Sequence, residues 1–585
     1  MDKIAATADI SRFIWEQKYR YKKDGVPVDR DITDTWTRVA RAIASVEQTD
    51  QEVWEQLFYN ALEGYRFLPG GRILAGAGTD YDVTLYNCFV MGRIDDSLDG
   101  IFTALKEGAL TMQQGGGVGY DFSTIRPRGA LAKRSGNIAS GPVSFMHTWN
   151  SMCATITSAG NRRGAMMACL RCDHPDIEEF VDAKRKAGAL ERFNLSVLVT
   201  DAFMQAVQDN QTWSLVFQDN PYGKYIEPRI YKQLPARELW DRILQAAYDT
   251  AEPGVLFIDQ INRQNNLAWC EQIHATNPCG EIPLPYYGAC NLGSVNLTQL
   301  VHHPFTSQAR FDFEELKVIV NTAVRMLDNV IDLSRFPVPA QKQVAQETRR
   351  IGLGITGLAD IFMMMGYRYG DKQSVEFADE IMKTLCHTAY RTSIDLAKEK
   401  GSFPILDKSA YLATPFAKRL PEDIRQGIAD HGIRNSHLVA IAPAGTISLL
   451  AGNVSSGLEP VFDYCYQRQL IASNDMPQPI NLEDYAYHIW QRGHDKNDLP
   501  GYFVTAREIS PQTHLEVQSV LQSHVDNAIS KTINVPKDIT FDEFKSIYAS
   551  AHKKGLKGCT AFRPNAIRGE ILVSSRCCVT GREPD

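Results

Sequence analysis

The chain predicts an α/β fold, and three stretches carry that prediction. Residues 36–46 and 51–62 read as helices with charged faces. Leu292, Val295 and Leu297 lie in an apolar-alternating run that reads as a buried strand. The apolar run Leu438–Ile441 followed by A-P-A-G-T-I-S-L-L (442–450) reads as strand, tight turn and helix start. That arrangement offers backbone N–H groups and a helix dipole to a phosphate, and Thr446 and Ser448 add hydroxyls.

Composition bounds the class. Apolar residues make up 44% of the 585 and charged residues 22%, the balance of an ordinary soluble globular protein. A net charge of −7 leaves no electrostatic footprint for a nucleic acid. The start M-D-K-I-A-A-T-A-D-I lacks the basic region and apolar run of a secretory signal. No apolar run approaches the ~18 residues of a membrane helix, so no membrane partner is expected. Twelve cysteines without such a signal predict reduced thiols in the cytoplasm, some of them catalytic.

Taken in order, residues 1–68 form a helical N-terminal segment, and the turn-rich F-L-P-G-G-R-I-L-A-G-A-G-T (67–79) opens a larger domain. Cys88 starts an apolar run to Met91. Residues 95–111 read as a helix capped by Asp or Ser, with apolar spacing at Leu98, Ile101, Leu105 and Ala109. The glycine run 115–119 lacks a following Gly-Lys-Ser/Thr, so it is read as a site of close backbone packing and not as a P-loop. A helix follows at 142–158. Cys169-x-x-Cys172-x-His174 is too short for a four-ligand zinc site, with no second C-x-x-C nearby. G-L-G-I-T-G (352–357) spells a dinucleotide fingerprint, but polar residues precede it where a hydrophobic strand is required.

The stretch with most chemistry is N-P-C-G-E (277–281). Pro278 fixes its own φ and turns Asn277 away from helix, while Gly280 permits a sharp reversal, so a stiff tip that is neither helix nor strand is expected. It gathers the amide of Asn277, the thiol of Cys279 and the carboxylate of Glu281, and a second thiol, Cys290, precedes the 292–297 strand. A carboxylate so close raises a thiol's pKa, which disfavours a thiolate nucleophile. It suits a neutral sulfur radical with a separate base. A structural loop with a buried cysteine is the other reading, and the pentapeptide leaves both open.

N-P-C-G-E with that second cysteine and the upstream N-C-F-V (87–90) resembles the catalytic core of ribonucleotide reductases. Matching segments follow in the family's order: G-G-G-V-G-Y-D-F-S-T-I-R-P (115–127), S-G-P-V-S-F-M (140–146), R-R-G-A-M-M (162–167), D-H-P-D-I-E-E-F (173–180), F-N-L-S-V (193–197), R-R-I-G-L-G-I-T-G-L-A-D (349–360) and G-T-I-S-L-L-A-G-N-V-S-S-G-L-E-P (445–460). They cover roughly residues 10–570, in wording closest to the adenosylcobalamin-dependent (class II) branch. The resemblance implies a ten-stranded α/β barrel of two half-sheets around a central catalytic finger loop. Its domains are the helical segment 1–68 without a visible ATP-cone, the barrel 69–569 and a flexible tail 570–585.

The resemblance also implies roles. Cys279 becomes the thiyl that takes the 3′ hydrogen of a ribonucleoside diphosphate, in chemistry started by adenosylcobalamin, with no protein metal site beyond that cobalt. Glu281 is the base, Asn277 orients the hydroxyls, and Cys88 and Cys290 reduce the sugar and end as a disulfide. Asn87, Ala444, Gly445, Thr446, Ile447 and Ser448 hold the substrate. Relatives usually carry Thr where Ala444 stands, and a substrate-contacting Thr in the glycine pair where Gly71 offers no hydroxyl. Asp96, Ser97, Leu98, Gln113 and Arg126 hold dNTP or ATP effectors, and Asn161, Arg162 and Arg163 form the loop that relays specificity. A homodimer reduced by thioredoxin or glutaredoxin is implied. Cys577 and Cys578 stand where relatives carry a redox tail, although an inert tail is the other reading. The stretch G-L-K-G-C-T-A-F-R-P-N (555–565) lacks the tyrosine pair of the diiron-dependent (class I) branch, and no glycyl-radical motif follows. A class I large subunit and a catalytically silent nucleotide sensor are the rival readings.

Overall fold

The computed structural model describes residues 8–130, 138–156, 164–186, 188–218, 227–471, 477–495, 498–564 and 572–574. The elements that position the site are, in chain order, α1 (Ala8–Lys18), α2 (Ile32–Ala44), α3 (Gln51–Leu62), β1 (Phe67–Pro69), β2 (Cys88–Val90), α4 (Leu98–Gln113), β3 (Gly117–Asp121), α5 (Pro142–Thr155), β4 (Met166–Arg171) and β5 (Phe193–Val199). They continue with β6 (Gly254–Phe257), β7 (Ala289–Asn296), α6 (Phe313–Leu333), β8 (Ile351–Thr356), α7 (Lys372–Lys400), α8 (Gly445–Leu450), β9 (Thr532–Asn534) and β10 (Gly558–Phe562).

Ten strands form one mixed sheet in the order β8-β7-β2-β3-β4-β5-β6-β10-β9, with β1 paired to β7. From β2 to β6 every neighbour is parallel. β7 with β8, and β9 with β10, are parallel too, and the two sets meet antiparallel at β7/β2 and β6/β10. The expected half-sheets are therefore present. At one end β8 bridges from Leu353 to Val439, and Ile441 bridges in parallel to Ile529, three residues before β9; these are isolated bridges and not full ladders. Residues 438–441, expected as a strand, make both bridges.

Local chemistry accounts for several boundaries. α2 starts four residues before the expected Trp36 because the Asp31 side chain accepts the Thr33 and Asp34 N–H groups. The helical segment expected to end at 68 ends earlier, since Phe67–Pro69 pairs with β7, and Gly71–Gly76 forms a short helix where turns were expected. G-L-G-I-T-G contains β8 itself: a Cβ on Gly354 would stand 2.2 Å from the Ala440 carbonyl oxygen, so this glycine serves strand packing. β7 is buried at every position and begins at Ala289, which places Cys290 inside the strand. α4 buries Ile101, Ala104, Gly108, Thr111 and Met112, while Leu98, part of its apolar spacing, is 66% exposed. In the tail expected to be flexible, Leu572–Ser574 pairs antiparallel with strand Cys465–Ile471.

The helical segment is clamped to the sheet domain by charge. Arg325 on α6 meets Glu47 at 2.6 Å and Glu399 on α7 at 2.5 Å, and Lys400 reaches Glu47 at 2.9 Å. Burial alone would raise Glu47, but hydrogen bonds from Arg325, Asn329 and Lys400 bring its carboxyl down to about 2.

The glycine run lies on β3 and the turn before it. A Cβ on Gly119 would stand 1.9 Å from the carbonyl oxygen of Thr276, which is backbone and cannot swing aside. Gly119→Ala is expected to cost about 1–3 kcal/mol or more by overpacking. Gly493→Ala, where no atom lies within 4 Å of the new Cβ, is expected to stay within about 0.5 kcal/mol. Chemical denaturation of the two variants checks this.

Candidate active site

The N-P-C-G-E stretch is the tip of a hairpin. Its stem, Ala275–Thr276 against Pro283–Leu284, is a short antiparallel ladder, and the tip between is neither helix nor strand, as expected. Gly280 turns at φ +86°, its N–H donating to the Asn277 carbonyl at 3.2 Å. The Asn277 side chain is buried, and its Oδ1 accepts the Ile282 N–H at 3.0 Å and the Thr276 hydroxyl at 3.1 Å. Two contacts from outside hold the tip. Asn194 on β5 donates from Nδ2 to the Pro278 carbonyl at 2.7 Å, and the Ala528 N–H donates to the Glu281 carbonyl at 2.9 Å.

Beside the tip, β2 and β7 place Cys88 directly opposite Cys290. Cys88, Cys279 and Cys290 are thiols rather than disulfides; the first and last are buried and Cys279 is exposed. Asn277 Nδ2 lies 3.2 Å from Cys88 Sγ, and Cys88 Sγ lies 3.8 Å from Glu281 Oε1. Amide, carboxylate and thiol thus form one buried group. Burial pushes the Cys290 thiol far up, against the opposing charge of Arg350 and with further push from Glu281. A neutral thiol in that position is a poor nucleophile and a ready donor of hydrogen.

On its other side the tip faces a cavity of about 350 Å³ lined by Cys279, Asn194, Ser196, Gly254, Ser530 and Thr560 among others. Cys559, on the stretch that lacks the tyrosine pair, lines it too. Lys531 in its wall is fully buried and paired with Glu459.

The other sequence-derived candidates fall into separate groups. Ala444 caps the six-residue helix α8, its N–H donating to Ser456 Oγ at 2.8 Å; Gly445, Thr446, Ile447 and Ser448 form the first turns. Asn87 precedes β2 with its Oδ1 buried and unbonded. At Gly71 a Cβ would stand 3.1 Å from the hydroxyl of the buried Tyr19, so that ring packs against this glycine. Asp96 and Arg126 pair at 2.8 Å beside Ser97, which caps α4 by accepting the Gly100 N–H at 3.0 Å. Leu98 starts the same helix, whereas Gln113 ends it, so one chain does not bring Gln113 to that cluster. Cys169, Cys172 and His174 show no metal geometry: Nδ1 of His174 accepts the Asp176 N–H and Nε2 meets the Ile125 carbonyl. Asn161, Arg162, Arg163, Cys577 and Cys578 lie outside the described residues. Asn194 and Ala528 escape the sequence reading: a single Asn on a strand and a backbone amide carry no local signal.

A family model described as "Ribonucleotide reductase, barrel domain" matches residues 86–562, and one described as "Ribonucleotide reductase, all-alpha domain" matches residues 7–82. The chain is 38% identical over 561 residues to the vitamin B12-dependent ribonucleoside-diphosphate reductase of Mycobacterium tuberculosis (strain CDC 1551 / Oshkosh), covering 92% of this chain and 76% of that protein. Identity to the protein of the same description from Thermoplasma acidophilum is 35% over 535 residues, 88% of this chain and 66% of that one. Against the ribonucleoside-diphosphate reductase subunit alpha of Chlamydia pneumoniae it is 27% over 599 residues, 91% and 56% of the two chains.

The burial pattern sets an order of thiol reactivity. In native protein, brief alkylation is expected to modify Cys279, along with the exposed Cys270, and to leave Cys88 and Cys290 protected until denaturant is added, as peptide mapping by mass spectrometry reads directly. Early labelling of Cys290 would contradict the buried strand register.

Proposed function

The chain belongs to the ribonucleotide reductase family, and on that premise we propose that it reduces ribonucleoside diphosphates to 2′-deoxyribonucleotides with adenosylcobalamin as cofactor. The observation that carries the reading is the register that sets Cys88 against Cys290 beside Asn277 and Glu281, with Cys279 next to them on the cavity side. A catalytically silent sensor would have no use for all five groups.

The cavity suits the adenosyl group of the cofactor by its donor set. Its wall offers neutral hydroxyls from Ser196, Ser530, Thr532 and Thr560, fit for sugar hydroxyls. A Cβ on Gly254 would stand 2.9 Å from Thr560 Oγ1, so glycine keeps that wall open. When bound, adenosylcobalamin supplies the radical that oxidises a thiol.

The protein's own residues perform the rest. Cys279, as the thiyl, takes the 3′ hydrogen of the ribose and later returns it. Glu281 accepts the 3′-hydroxyl proton as general base, and Asn277 orients the hydroxyls. Cys88 and Cys290 protonate the departing 2′-hydroxyl, which leaves as water, and give two electrons to the sugar as their sulfurs join. The first turn of α8, Ala444 to Ser448, holds the diphosphate with its backbone N–H groups, and the unbonded Oδ1 of Asn87 takes part in seating the substrate.

Regulation and partners extend this reading. Asp96, Ser97, Leu98, Gln113 and Arg126 bind dNTP or ATP effectors, with Asn161, Arg162 and Arg163 relaying base preference. The chain works as a homodimer, which is supported by Leu98, Phe102 and Leu110, exposed by 66%, 51% and 40% on one face of α4. A dimer that joins α4 to its copy also gives Gln113 a route to an effector held by the other chain. Thioredoxin or glutaredoxin regenerates the Cys88–Cys290 pair, with Cys577 and Cys578 as the shuttle. The setting is the cytoplasm, where thiols stay reduced. No helix among the described residues is long and apolar enough to cross a membrane.

The test is anaerobic CDP reduction with adenosylcobalamin and a small dithiol and no second protein. Turnover is expected, whereas a requirement for a separate metalloprotein would assign the chain to the class I branch. Cys279→Ser is expected to fold with an unchanged melting temperature and to form no dCDP. Residual reduction by that variant would remove Cys279 from its role.

A further inference from the structure

A second cavity, about 400 Å³, opens between α7, residues 416–421 and residues 523–524, apart from the groups given to catalysis, substrate or effector. Its floor is apolar, with Cys386 and Phe416 buried. Its rim carries Lys383, His387, Arg419 and His524 against one carboxylate, Asp379. That carboxylate is already engaged, since His524 Nε2 lies 2.8 Å from Asp379 Oδ1. Among the described residues neither Lys383 nor Arg419 has an ion pair; the Arg419 guanidinium rests over the Phe416 ring at 5.2 Å.

The charge of Lys383 is felt at His387. Burial holds its imidazole down to about 4, helped by Arg391, His524 and Lys383 and opposed by Asp423. Arg391 and Asp423 pair with each other at 2.8 Å, which leaves Lys383 and Arg419 as the uncompensated charges.

We propose that this cavity binds the phosphate group of a small molecule, with Arg419 and Lys383 as its charged clamp. A guanidinium offers a planar fork and an ammonium a point charge, the pairing that phosphate oxygens use. The aromatic floor gives whatever carries the phosphate an apolar surface. The cavity backs onto the seat of the catalytic loop: Phe416 stacks on Tyr390 at 5.8 Å, and Tyr390 donates to Asp526 at 2.8 Å. Two residues on, the Ala528 N–H holds the Glu281 carbonyl.

Nuclear magnetic resonance of histidine-labelled full chain tests the site, with pyrophosphate and ATP as separate arms that tell a free phosphate from a nucleotide's. A bound phosphate is expected to raise the proton affinity of His387 about tenfold. Lys383→Gln with Arg419→Gln is expected to weaken that response tenfold or more while the melting temperature holds, both residues being rim positions. Thr446→Val, at the substrate phosphate turn, is expected to leave it unchanged. A His387 response to either compound, lost in the double variant, supports the site. Silence toward both, or an undiminished response in the double variant, overturns it.

Discussion

No side chain can stand on β3 where the stem of the catalytic hairpin crosses it. The Thr276 carbonyl comes within 1.9 Å of the place a Cβ would occupy on Gly119, and Pro278 lies 3.2 Å from that of Gly117. This approach sets the depth at which the hairpin lies against the sheet, and the other site contacts follow from that depth. Asn194 meets the Pro278 carbonyl from β5, Asn277 meets Cys88 from the tip, and Ala528 meets Glu281 from the far side. The tip is held by backbone carbonyls and buried amides, which suits a group that must present one sulfur in one place.

The electrostatics agree with that geometry. Burial and the Glu281 carboxylate both push the Cys290 thiol up, the opposite of the environment a thiolate nucleophile needs. Cys88 lies within hydrogen-bonding reach of an amide and a carboxylate and Cys290 is held as a thiol, so the two can donate hydrogen and then pair with each other. The Cys88–Cys290 register already places the two residues opposite across a strand pair, so little backbone movement is needed. Cys279, on the exposed side of the tip, has access to the cavity that the buried pair lacks.

Much of this was legible in the residues, and the parts that were not have definite physical reasons. The helices at 32–44 and 51–62, the strand around 292–297 and the turn before α8 announce themselves by period and punctuation. The glycines of 115–119 announced close packing but not its partner, because the partner arrives from a hairpin far along the chain. Cys290 was placed before its strand because Ala289 and Cys290 lack the bulk that marks a strand start, though both are buried in it. Leu98 shares the apolar spacing of α4 yet is exposed, because helical period reveals an apolar stripe without saying whether the domain interior or another surface covers it. Asn194 is one amide on one strand, and only the fold brings it to Pro278.

The central claim is that one thiol starts the reaction and two others complete it. A single turnover of prereduced Cys577→Ser/Cys578→Ser enzyme, whose tail cannot take over the disulfide, with CDP and adenosylcobalamin, quenched in acid, alkylated and mapped by mass spectrometry, tests it most directly. The account predicts one Cys88–Cys290 disulfide for each dCDP formed, with Cys279 recovered as an alkylated thiol. Full product yield with Cys88 and Cys290 both recovered as thiols, or a disulfide that contains Cys279, would contradict it.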